Sequence, residues 1–170
     1  MAGSYGEPII DFDGQRLSNL WQATEAMFYT TDEANVITDF PFHDHGILCC
    51  KTEILQEIQP LVGHEVEVLP IHVDGYEYSL LNVVNVLDAL DKPKCSFEHF
   101  KSGDVKKIFR YAYKEEVLKG TYIFKTPELT VTDIYCTDAF RDLVLSRGWT
   151  GLKFTQVYPV DERPEHDRTV

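Results

Sequence analysis

EVEVLPIHVDGYEYSLLNVVNVLDALD, residues 65–91, is the stretch on which the fold of this chain turns. Glu65 to Val68 alternates polar and apolar, the period of a strand with one buried face. Pro70 has no N–H to give a ladder, so its strand lies at a sheet edge or ends nearby. Asp74-Gly75 is a hairpin signal, because glycine takes positive φ without a Cβ penalty. Tyr76 to Leu80 resumes the alternation, and Val83, Val84, Leu87 and Leu90 then fall at helical spacing. The stretch predicts strand, turn, strand and helix.

Upstream, Ile54, Leu55, Ile58, Leu61 and Val62 repeat at helical spacing within Thr52 to Val62, and Gly63 stops that helix. Gly46-Ile47-Leu48 runs into Cys49-Cys50, which reads as a buried strand end. Pro41 and Gly46 keep residues 39–46 irregular, and Asn35 to Thr38 reads as a short strand. Leu17, Leu20, Trp21, Thr24 and Phe28 share one helical face, with Ser18 as a cap. The first residues read as a strand around Ile9-Ile10, ended by Asp13-Gly14.

Downstream, Asp91 to Lys94 is a turn and Lys106 to Tyr113 a strand. Thr121 to Phe124 is a second short strand, closed off by Pro127, and Thr130 to Cys136 is extended. Thr137 caps a helix whose first turn carries Asp138 and whose buried stripe is Phe140, Leu143 and Val144, with Gly148 as its stop. Thr150 to Tyr158 alternates again. These pieces predict an α+β fold: one compact domain over residues 1–158, a mixed but mostly antiparallel sheet, three or four helices, and a polar tail over residues 159–170.

Charge is the compositional outlier. The chain of 170 residues carries a net −12, with −7 in residues 1–50, −6 in 51–100, +2 in 101–150 and −1 in the last twenty. A field of that sign repels nucleic acid and anionic membranes and attracts basic partners. No apolar run approaches the roughly 20 residues that span a bilayer. The first residues lack a basic start and an apolar stretch, so a cytoplasmic protein is expected. Four cysteines, two of them adjacent, do not make a disulfide framework.

Reactive constellations are weak. His43, His45, Cys49 and Cys50 are the candidates for a metal- or thiol-dependent site, but their spacing matches no standard zinc-ligand pair. No GxSxG, GxGxxG, P-loop or HExxH is present, and no cofactor or metal is expected. Lys101, Lys106, Lys107, Arg110 and Lys114 interleave with Phe109, Tyr111 and Tyr113, a pattern that suits single-stranded nucleic acid. The acidic whole opposes that reading, and a solvated face balancing the acidic half fits better. Two stretches place acids beside large rigid aromatics, as protein interfaces do. Asp39, Phe40, Phe42, His43 and Asp44 form one, and Asp74, Tyr76 and Glu77 the other. These eight residues are the candidate partner-binding set.

From Ile54 to Val157 the order of features resembles immunity-protein family eleven of bacterial polymorphic toxin systems. The words that carry the resemblance are VLPIHV (68–73), YSLLNVVNVLDALD (78–91), IFKTPEL (123–129), TDAF (137–140) and GWTGLKF (148–154). The resemblance implies a small cytoplasmic protein that binds and neutralises a cognate toxin domain without catalysis of its own. It implies no particular binding residues. Residues 1–50 lie outside it.

Overall fold

The hairpin expected from the opening stretch forms, with Gly75 in its turn. The computed structural model describes residues 10–26, 38–41, 46–73 and 75–159, and Asp74 falls outside them. Strand β3 (Val66–Val73) pairs antiparallel with β4 (Tyr78–Val83) from Val66 opposite Val83 to Pro70 opposite Ser79. Val73 then bridges Tyr76, and Gly75 takes φ +74° at the turn. Two flanking strands complete a four-stranded sheet. Strand β1 (Thr24–Ala26) runs parallel to Ile71–Val73, and β2 (Leu48–Lys51) lies antiparallel along β4, giving the order β1-β3-β4-β2. Pro70 is tolerated because β1 pairs only from Ile71 onward. On that uncovered side the Pro70 carbonyl accepts Trp21 Nε1–H at 2.8 Å.

Alternation along the strands fills both faces of this sheet. Cys50, Val66, Leu81 and Val83 point to one face, where Ile54, Leu55, Ile58 and Val62 of helix α1 (Thr52–Val62) cover them. Phe140 and Val144 of helix α2 (Asp138–Arg147) close the same cluster. Cys49, Leu69, Ile71, Val73, Tyr78 and Leu80 point to the other face, beneath Leu17, Ile10, Phe12 and Trp21. A third cluster joins Ala89, Leu90, Ile108, Tyr113, Phe124 and Tyr135. It supports a two-stranded ribbon, β5 (Ser96–His99) with β6 (Val105–Arg110), and the short pair β7 (Ile123–Phe124) with β8 (Tyr135–Cys136).

Several expectations are corrected. Among the described residues there are two α-helices rather than three or four, plus two 3-10 turns at Lys92–Lys94 and Glu115–Val117. Residues 84–90 are not helical. The amides of Val84 and Asn85 donate to the Glu65 carbonyl at 2.9 and 3.2 Å, and Leu87 N–H donates to Lys125 O at 2.9 Å. Pairing to distant strands has overridden local periodicity. Leu17 to Trp21 is a turn whose amides serve the sheet, and Thr24–Ala26 is strand, while Phe28 lies outside the described residues. Thr150 to Tyr158 forms no strand; Leu152 and Phe154 pack on the first cluster, Val157 and Tyr158 on the third. Thr137 begins α2 without a side-chain cap, since its hydroxyl donates to Thr121 O at 2.7 Å. The strand expected around Ile9-Ile10 and that from Asn35 fall largely outside the described residues.

Three buried ionisable side chains staple the pieces together. Glu65, with no exposed surface, accepts Tyr122 N–H at 3.0 Å and Ile123 N–H at 2.8 Å. Glu67 accepts Leu17 N–H at 2.6 Å, Ser18 N–H at 3.1 Å and Asn82 Nδ2–H at 3.2 Å. Lys125, also fully buried, donates to the carbonyls of Phe12 and Gly46. Burial pushes the Lys125 ammonium down to about 8, against a weaker upward pull from Asp13. For Glu67, burial pushes upward, but the amides of Leu17 and Ser18 and the Asn82 side chain outweigh it and hold the carboxyl below its ordinary value.

A hydrogen bond to a charged group contributes about 1.5–3 kcal/mol, and orphaned buried amides add to the loss. Glu65→Ala is therefore expected to destabilise the fold by about 3–5 kcal/mol in urea titrations. Glu67 binds its proton less readily folded than unfolded, so its contribution is present above the ordinary carboxylate range and drains away as pH falls through its lowered value. Glu67→Gln is expected to flatten that acid limb of the stability profile, measured by the same titrations below about pH 5.

Candidate functional site

The exposed end of the β3–β4 hairpin is shaped by three contacts that reach beyond the hairpin. Lys51 pairs with Tyr78 at the end of β2, and α1 begins at the next residue, so the helix N-terminus is delivered beside the tip. Thr52 N–H donates to Glu77 O at 3.0 Å, and Tyr78 OH donates to Thr38 O at 3.0 Å. Tyr76 N–H closes the turn on Val73 O at 2.9 Å. Tyr76 is left 45% exposed, with its ring centroid 6.3 Å from that of Tyr78.

Two concavities flank this tip. The larger, of about 460 Å³, is lined by Glu25, His72, Tyr76, Glu77 and Tyr78 among others. The smaller, of about 220 Å³, is lined by Lys51, Glu53, Gly75, Tyr76, Glu77 and Tyr78. Lys51 adds little positive charge, because its ammonium lies 2.8 Å from Asp39 Oδ1. Glu25, Glu53 and Glu77 enter no ion pair among the described residues. Three carboxylates without ion-pair partners among the described residues thus stand around the exposed Tyr76 ring, with the Tyr78 ring buried beneath it. Carboxylates accept charge-assisted hydrogen bonds, and an exposed ring face attracts ammonium or guanidinium groups.

The structure divides the eight candidate residues. Tyr76 and Glu77 stand on the tip. Asp39 is near it but already engaged, accepting Lys51 Nζ–H at 2.8 Å and the Thr150 amide and hydroxyl at 2.9 Å each. Burial raises its carboxyl, and the bonds from Lys51 and Thr150 more than reverse that, leaving it below the usual range. Phe40 is no surface anchor: it is 1% exposed, packed in the first cluster with its ring 6.1 Å from Trp149. Its amide donates to Thr150 O at 2.9 Å, which turns the side chain inward. Phe42, His43, Asp44 and Asp74 lie outside the described residues, as does His45.

Glu25 and Glu53 line the concavities at the tip and were missed by sequence reasoning. Glu53 sits in the first turn of a helix correctly placed from its periodicity, and an acid there suits the helix dipole, a reason sufficient without any partner. Glu25 reaches the tip because β1 pairs in parallel register with β3, Glu25 opposite His72. No local pattern in the sequence encodes that register.

The thiols are closed off. Cys49 and Cys50 face opposite sides of β2, each inside a different apolar cluster. Burial pushes both up to about 12, with Cys49 adding to the effect on Cys50. A thiol held protonated in a core is neither nucleophile nor metal ligand at neutral pH. Among the described residues no group of three His, Cys, Asp or Glu side chains is placed to hold a metal. A disulfide-exchange dye at pH 8 is expected to label Cys49 and Cys50 only at the rate of unfolding. Denaturant then accelerates both, and labelling that is immediate in the folded protein would contradict the burial.

Comparison with known families adds one finding. The model of the Immunity protein family (Imm11) matches residues 66–159, more than half of the chain. No curated protein matches the chain. The matched span holds Tyr76 and Glu77, whereas Glu25, Asp39 and Glu53 lie outside it.

Proposed function

The chain belongs to the Immunity protein family (Imm11), and on that premise we propose that it neutralises a cognate toxin by covering a basic part of it with the acidic tip of the β3–β4 hairpin. The observation that carries this reading is the tip itself: Glu25, Glu53 and Glu77 without ion-pair partners among the described residues, around a Tyr76 ring that is 45% exposed. A neutralising protein needs a surface of fixed shape and charge rather than an activated group. The hairpin, pinned through Thr52 and Thr38, supplies a fixed shape. The larger concavity has room for a lysine or arginine side chain between carboxylates and rings.

The division of labour follows from physical chemistry. Uncompensated exposed carboxylates act at long range and set the rate of encounter, whereas a buried aromatic anchor sets the lifetime of the complex. Phe40, Cys49 and Cys50 stabilise the scaffold under the site and touch no partner. The protein acts in the bacterial cytoplasm, on a toxin domain, with no catalytic step, cofactor, nucleic acid or membrane involved.

Association with the purified cognate toxin domain tests this directly. The triple variant Glu25→Gln, Glu53→Gln, Glu77→Gln is expected to associate about tenfold more slowly at low salt, with a shallower salt dependence and a nearly unchanged dissociation rate. Tyr76→Ala is expected to leave association nearly unchanged and speed dissociation by at least about tenfold, the scale of an interface anchor. Wild-type kinetics in both variants would remove the tip from the interface.

A further inference from the structure

The charge of this protein is separated as well as unbalanced. The ribbon β5–β6 buries Ile108 and half-buries Phe97 against the third cluster, leaving its other face in solvent. That face and its turn carry Phe100 at 54% and Phe109 at 60% exposure, among the few large apolar side chains so exposed in the described residues. Lys107 Nζ lies 5.2 Å from the Phe109 ring centroid. Lys106 is paired with Glu98 at 2.7 Å, but Lys101, Lys107 and Arg110 enter no ion pair among the described residues. Three cations without ion-pair partners among the described residues thus lie on the same ribbon and turn as two exposed rings, opposite in sign to the three carboxylates at the Tyr76 tip.

The two surfaces do not meet within one molecule. The acidic tip is at the Val73–Tyr76 end of the β3–β4 hairpin, and the chain that builds the ribbon leaves from the opposite end, after Val83. Six residues of β4 at about 3.3 Å each keep those ends roughly 20 Å apart. The ribbon is then held by Leu90, Tyr113 and Phe124, none of which lines the tip. No ion pair in the described residues joins the two.

We infer that a second copy of this chain is the ribbon's partner: Lys101, Lys107 and Arg110 of one molecule dock on Glu25, Glu53 and Glu77 of the next, with Phe100 and Phe109 packing against Tyr76. The occupant is chosen because its complementary surface is on the same molecule. Opposite charges in matched number, each beside exposed aromatic surface, are what hold two proteins in register. The contact is head-to-tail, so it does not close on itself and grows with concentration. Each surface is a hairpin end, well below the roughly 800 Å² per partner of a stable interface, so association is weak and reversible. The inference needs nothing from the toxin reading. Where that reading holds, self-association covers the toxin-facing tip, and toxin displaces a neighbouring copy.

Sedimentation velocity on the full chain alone tests it. At about 20 mM salt the weight-average sedimentation coefficient is expected to rise as concentration goes from about 5 to 500 µM, and at about 500 mM salt the rise should vanish, since screening acts over a few ångströms there. The variant Lys107→Glu, Arg110→Glu and the variant Glu25→Lys, Glu77→Lys should each remain monomeric at low salt, with unchanged circular dichroism. Mixed in equal amounts, the two should associate, because each then carries the surface that the other's altered end requires. A wild-type protein that stays monomeric throughout at low salt overturns the inference, as does association that survives in either variant alone or a mixture that fails to associate. None of these outcomes depends on a toxin, so a failure here is distinct from a failure of the toxin experiment.

Discussion

Glu65 presents a carboxylate with no exposed surface to the amides of Tyr122 and Ile123, while its own carbonyl takes the amides of Val84 and Asn85. One residue at the head of β3 thereby fixes both the exit of β4 and the approach of β7, two segments 38 positions apart between Asn85 and Ile123. The consequences run outward from there. Asn85 Nδ2–H donates to Ile123 O at 3.2 Å and Lys125 N–H donates to Asn85 O at 2.9 Å, so residues 84–87 are drawn straight along 123–125. A buried charge is tolerable only where such donors meet it, and removing them would leave it costlier than an apolar residue. The same residue explains why the stretch after β4 is extended rather than helical.

Glu67 and Lys125 extend this logic to the part of the chain outside the family match. Glu67 collects Leu17, Ser18 and Asn82, and Lys125 collects Phe12 and Gly46. The acidic N-terminal segment is thus bolted over the second face of the sheet by charges belonging to the matched span. Apolar burial drives that packing, but it is non-directional; the charged staples set where the segment lies. One outcome is that β1 comes to rest beside the hairpin tip and brings Glu25 with it. The candidate surface is therefore assembled from a hairpin within the family match and from Glu25 and Glu53 outside it.

How much of this was legible in the sequence depended on the range of the interaction involved. The hairpin, helix α1 from Thr52 and helix α2 ended by Gly148 were readable, because period, turn glycine and stop signals are local. Cys49-Cys50 read correctly as a buried strand end for the same reason. The helix expected after Val83 failed where the backbone carbonyls of Glu65 and Lys125 took its amides, and that expected from Leu17 failed where the Glu67 carboxylate fifty residues away took the amides of Leu17 and Ser18, pairings that periodicity does not carry. Of the candidate site, Tyr76 and Glu77 were legible because they flank the turn glycine. Phe40 was misplaced: an aromatic beside acids reads as surface, and only the Thr150 contacts turn it inward. Glu25 stayed invisible because its position depends on a parallel register, and Glu53 because the helix dipole already accounted for it.

Amide hydrogen exchange of the protein, free and in complex with its cognate toxin domain, tests the central functional claim most directly. The account predicts new protection at residues 51–53 and 75–78, around the hairpin tip, with the amides of Tyr122 and Ile123 unchanged because they already open only with the whole fold. Protection confined to the β5–β6 ribbon or to the outer face of α2, with the tip exchanging as in the free protein, would contradict it.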